Sequence, residues 1–113
     1  MKSDNNVESY LTSQYSIYKN LGWARFKQNR NEDAIPNLLI AIGIAQNPAS
    51  LQYIRNPGAS YCIYAQVLQT QKVQSSQAIQ YWQLCLQLIE SRTGENINFE
   101  EDKWLYEAKK QLP

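Results

Sequence analysis

The sequence predicts an all-α fold, a stack of antiparallel helical hairpins with about five helices. Three observations predict it. Apolar residues recur at helical spacing between clear turn signals, no run of alternating β-branched residues marks a strand, and the pattern of large and small residues repeats every 43 to 44 positions. The helices are expected at about 5–28, 32–46, 57–71, 76–91 and 99–112. The turn signals lie at Asn29 to Asn31, Asn47-Pro48, Asn56-Pro57-Gly58, Ser75-Ser76 and Thr93 to Asn98. The segment ASLQYIRN (49–56) reads as either a short helix or an extension.

In the first helix Ile17, Leu21 and Ala24 share one face, with Tyr18 and Gly22 on its flank, so this face is the expected core contact. Glycine inside a helix costs about 1 kcal/mol against alanine, so Gly22 marks a place where a neighbouring element comes too close for a side chain. Asn29 to Asn31 supply the turn, with an asparagine cap expected before Glu32 and Asp33. In the second helix Ala34, Leu38, Ala41 and Ala45 make one buried stripe with Ile35 and Ile42 beside it. Ile40 and Ile44 point largely the other way, either covered by Leu51, Tyr53 and Ile54 or forming a self-association patch. The third and fourth helices repeat the first two. Tyr18, Tyr61 and Trp104 are spaced by 43, as are Gly22, Ala65 and Ala108, while Ala34, Leu38 and Ala41 find Ala78, Trp82 and Cys85 at an offset of 44. Each such hairpin leaves an apolar face that its neighbour must cover. The last helix opens on Glu100, Glu101 and Asp102, acids that favour the positive end of a helix dipole, and its charged surface suits the water-facing end of an array.

At 113 residues the chain has the size of a single small domain, with a first repeat at about 16–46, a second at about 57–91 and a capping helix at about 99–112. Eleven basic and ten acidic residues leave a net charge of +1, so nothing draws the whole molecule to nucleic acid or to an anionic membrane. Between Ala34 and Ile89 the only charges are Arg55 and Lys72, and glutamines keep this middle polar. The longest apolar stretch, AIPNLLIAIGIA, has 12 residues and is too short to span a bilayer, which takes about 20. A cytoplasmic chain is expected. Cys62 and Cys85, 23 positions apart with no CxxC or histidine nearby, read as two small buried side chains. With no histidine and no phosphate-cradling glycine motif, the expectation is a non-enzyme with no cofactor and no metal.

The stretch YKNLGWARFKQNRNEDAIPNLLIAI (18–42) resembles a tetratricopeptide repeat: Tyr18, Leu21, Gly22, Ala34, Leu38, Ala41 and Ile42 fall on that family's pattern of large and small residues. Residues 61–86 match with one insertion, and EDKWLYEAKKQL (101–112) resembles the first helix of a third unit. The period of about 43 is longer than the family's usual 34 and resembles its long-period variants; the family's helix-ending proline is missing in both units. The resemblance implies a right-handed α-solenoid whose first helices line a concave groove for partner peptides. It assigns the groove to Lys19, Trp23, Phe26 and Lys27, continued in the second unit by Gln66 and Gln69. Trp23 stands where chaperone-tail clamps of this family carry an asparagine, so that partner class is not expected. The expected function is a non-catalytic module that binds a protein or peptide partner, of the kind found in bacterial signalling or assembly proteins. The chain is expected as a monomer or weak homodimer. Two alternatives to the peptide-binding function are a homo-oligomeric scaffold using Ile40 and Ile44, and nucleic-acid binding through Lys19, Arg25, Lys27 and Arg30.

Overall fold

The computed structural model describes residues 2–51, 53–54, 56–71, 75–90 and 99–112. Among them every regular element is a helix: α1 (Lys2–Lys27), α2 (Asn31–Gln46), the single turn α3 (Pro48–Leu51), α4 (Pro57–Thr70), α5 (Ser75–Glu90) and α6 (Phe99–Gln111). The all-α class is therefore as expected. The bounds of α2, α4, α5 and α6 fall within a residue of the sequence reading, and α1 starts three residues earlier. The ambiguous segment supplies α3. The expected turn at Thr93 to Asn98 lies outside the described residues, as do the side chains of Glu100, Glu101 and Asp102. The chain divides into two compact units, Met1–Arg55 and Asn56–Pro113, at the junction between the expected repeats. No described helix is long and apolar enough to cross a membrane.

In the first unit α1 ends where Asn29 takes the left-handed conformation (φ 61°). The Arg30 amide then reaches back to the Arg25 carbonyl and the Asn29 amide to that of Phe26, both at 2.9 Å, which satisfies the last carbonyls of the helix. Asparagine suits that backbone better than any residue but glycine. The expected asparagine cap on α2 is not made: Asn31 lies inside the first turn, and the cap position is Arg30, whose Nε donates instead to Asp33 at 2.7 Å. A turn this short returns α2 alongside α1 as its antiparallel neighbour.

The pair packs tightly at Gly22. A Cβ placed there would lie 2.5 Å from Leu38 Cγ and Cδ2, and Leu38 is fully buried, so it has little room to yield. Gly43, by contrast, has nothing within 4 Å of where a Cβ would stand. Gly22→Ala is expected to destabilise by about 1–3 kcal/mol through overpacking, whereas Gly43→Ala is expected to stabilise by about 1 kcal/mol through helix propensity alone. Thermal unfolding of the two variants side by side checks both signs.

The Gly22 contact also corrects the expected core face of α1. Over residues 10–27 the buried ones are Tyr15, Lys19 and Gly22, while Ile17, Leu21 and Ala24 face solvent. The physical reason is that a glycine sets the rotation of the helix, and the Tyr15 ring with the methylene stem of Lys19 fills the remaining core volume. In α2 the expected stripe is the buried one: Ala34, Leu38, Ala41, Ile42 and Ala45. Downstream of α3, Ile54 is buried and the Thr12 hydroxyl donates to the Tyr53 carbonyl at 3.1 Å, tying this segment to α1.

In the second unit α4 and α5 run antiparallel, as their pairing shows. Gly58 faces Cys85 and Ile89, Cys62 faces Cys85, and Tyr64 faces Tyr81, one partner rising in number as the other falls. A Cβ at Gly58 would lie 3.0 Å from the Cys85 carbonyl oxygen, so the start of α4 is pressed against α5. Cys62 and Cys85 are two small buried side chains, as expected, but they are also joined in a disulfide with their Cα atoms 5.3 Å apart, which the sequence reading disfavours. The hairpin register places them on facing turns within the reach of a bridge, about 4.4–6.8 Å. The helix α6 lies against both α5 and α4, with Trp104 and Ala108 buried and Lys103, Lys109 and Lys110 outward. The Trp104 carbonyl oxygen sits 3.8 Å from Cys62 Sγ, a packing contact, since a bridged sulfur carries no proton to donate.

Burial follows the repeat. Ala34, Leu38, Ala41 and Ala45 of α2 and Ala78, Trp82, Cys85 and Ile89 of α5 are all buried, as are Gly22, Ala65 and Ala108 in the three first helices. The aromatic cluster of the second unit has no counterpart in the first. Tyr64 meets Tyr81 edge-on at 4.7 Å and Tyr61 stacks on the same ring at 6.0 Å. Burial, and then the neighbouring Tyr81, hold the Tyr64 phenol above its ordinary value of 10.0. The neutral form is the one the fold accepts, so this stability is complete below the unfolded-state value and is lost as pH climbs through the folded-state value. Tyr64→Phe is expected to flatten the alkaline end of the stability curve relative to the parent, which urea titrations at successive pH values check.

Candidate interaction surface

The expected groove residues do not gather into one open surface. Lys19 is buried, 6% exposed, with its ammonium 5.9 Å from the centre of the Tyr15 ring, so it is withdrawn from the surface it was assigned to. The second unit shows why. Its equivalents of Lys19 and Phe26 are Cys62 and Gln69, and both lie against α6, Cys62 beside the Trp104 carbonyl and Gln69 bonded to Gln111 at 2.7 Å. In that unit this stripe seats the following helix. Trp23 and Phe26 are half-buried and pack together at 5.8 Å between ring centroids. The exposed Lys27 closes over the Trp23 face at 5.0 Å, a cation–π contact that holds its charge on the ring. Gln66 is half-buried and its Oε1 accepts no hydrogen bond among the described residues.

The basic set considered for nucleic acid is thinned in the same way. Lys19 is buried, Lys27 lies on Trp23, and Arg30 is engaged with Asp33. Among the described residues no group of three His, Cys, Asp or Glu side chains converges as metal ligands would, and both cysteines are in the bridge. Of the two isoleucines expected to point away from the core, Ile40 is exposed and Ile44 half-buried; Leu39 joins Ile40 at the surface.

The surface that sequence reasoning missed is on α1. Tyr10, Ile17 and Leu21 are 64%, 52% and 38% exposed. Their spacing of seven and then four places them on one line of the helix, with Gln14 and Ala24 on the same side. From Tyr10 to Ala24 the line is about 21 Å long at about 1.5 Å rise per residue, and none of its five residues is charged. The repeat carried a signal for it. The residues 43 positions on from Ile17, Leu21 and Ala24 are Ser60, Tyr64 and Val67, all buried in α4. The same side of the repeated helix is thus covered in one unit and open in the other. No protein-family model, curated protein or solved structure matches this chain.

Proposed function

We propose that the chain is a non-catalytic protein–protein interaction module, built as a tetratricopeptide-like array of hairpins, which binds a partner helix through the exposed side of α1. The observation that carries this reading is the uncharged apolar line Tyr10, Ile17, Leu21 on a helix whose other side holds the buried Tyr15 and Gly22. Exposed apolar residues aligned on one side of a helix suit a contact site. The repeat supports it: where the same positions recur in α4 they are buried, so this side of the helix is suited to being covered. The partner is expected to present an amphipathic helix with residues such as Leu, Phe or Tyr at i, i+3, i+4 and i+7.

The test is a binding titration of the full chain against a panel of amphipathic helical peptides. The double variant Ile17→Gln with Leu21→Gln is expected to keep its unfolding midpoint, as exposed substitutions cost within about 0.5 kcal/mol, and to lose tenfold or more in affinity. Unchanged affinity in a folded variant, or no binding by any peptide, overturns the reading. The scaffold reading has its own observation, the exposed neighbours Leu39 and Ile40. Light scattering across a concentration series that shows a dimer sensitive to Ile40→Gln would put self-association in its place.

A further inference from the structure

We infer that the Cys62–Cys85 bridge is made in an oxidising compartment and acts as a covalent latch on the second unit, holding α4 to α5 and keeping the seat of α6 in place. The two sulfurs join facing turns of α4 and α5, and both residues are fully buried. They sit where the start of α4 is pressed against α5. The Cys85 carbonyl is the group that Gly58 closes on, and α6 lays its Trp104 carbonyl against Cys62. Three helices therefore meet at the bridge.

The first unit shows that the packing itself does not require sulfur. The equivalents of Cys62 and Cys85 there are Lys19 and Ala41, also buried, in a hairpin shorter by one residue. The cysteine pair is an added covalent link on a helix crossing that the other unit makes without one. Disulfides of this kind persist in oxidising compartments and are rare where glutathione and thioredoxin keep thiols reduced. The bridge therefore points away from the cytoplasm that the sequence alone predicts. Once closed, full burial denies a reducing thiolate its line of attack, so reduction waits on opening of the unit.

Closure follows thiol–disulfide exchange. One cysteine thiolate attacks a disulfide of an oxidised thiol carrier, either an oxidoreductase or glutathione disulfide, and the second cysteine displaces the carrier from the mixed disulfide. The protein loses two electrons and two protons, and the carrier disulfide becomes two thiols.

The test starts by quenching cells that make the chain in acid, then denaturing and alkylating the full chain without reductant. The expected mass shows no alkyl adduct, and two adducts after reduction; two adducts without reduction overturn the inference. The second arm compares unfolding temperatures with and without reductant. The parent is expected to lose several degrees once both thiols can be alkylated, and the double variant Cys62→Ala with Cys85→Ala to be indifferent to reductant. Alanine already stands at the position of Cys85 in the first unit, so that variant is expected to fold. A reduced parent that unfolds at its original temperature overturns the latch.

Discussion

Trp82→Ala is expected to be the most damaging single substitution in the second unit, lowering stability by about 3–5 kcal/mol. The side chain is 1% exposed and is the largest fully buried one among the described residues. Its loss removes two rings of packing and leaves a cavity between helices that a disulfide prevents from drawing together freely. Small domains are stable by about 5–15 kcal/mol, so a parent at the lower end of that range would leave a substantial share of the variant's molecules unfolded. The indole N–H finds no hydrogen-bond partner among the described residues. Trp82→Phe removes that unpaired donor along with part of the volume, so it is expected to cost clearly less than alanine. Denaturation followed by circular dichroism ranks the two, and equal midpoints for parent and Trp82→Ala would show that the residue is not the keystone of α5.

The second large effect is loss of the bridge. It closes a sequence separation of 23 residues, for which chain-entropy arguments give about 3 kcal/mol. The stabilisation acts through the unfolded ensemble, which the link forbids from expanding fully. The double variant Cys62→Ala with Cys85→Ala is therefore expected to unfold at lower denaturant and also with a steeper dependence on it, because its unfolded chain exposes more surface. Trp82→Ala should leave that slope near the parent value. The two kinds of damage, a hole in the folded state and freedom in the unfolded one, are separable in one set of titrations.

Much of the helical layout was legible because each boundary carried a local signal: Asn29 in the left-handed turn, Pro57 at the first position of α4, and the α2 stripe of Ala34, Leu38, Ala41 and Ala45. The face of α1 was not. Ile17 and Leu21 outweigh Tyr15 and Lys19 on any hydrophobicity scale, yet the contact between Gly22 and Leu38 turns the helix so that the less apolar side is buried. With Gly22 as the centre of the contact and not its flank, the line on α1 follows from the sequence alone. The cysteine pairing was hidden for a related reason: spacing in sequence says nothing of facing turns. It becomes visible once the hairpin register is known, because Gly22 opposite Leu38, shifted by 43 and 44, places 65 opposite 82 and so 62 opposite 85. The candidate site was the least legible part, since the repeat pattern that locates a groove cannot tell which of its positions the next helix has already occupied.

The left-handed turn at Asn29 and the bridge between Cys62 and Cys85 join helices by different means, and they differ in what happens when the backbone is cut. A protease that severs residues 28–30 leaves α1 and α2 held by packing alone. One that severs the connection at 71–74 leaves α4 and α5 as two strands of a single covalent molecule, because the cut falls inside the loop that the bridge closes. The second unit can be nicked there without being separated.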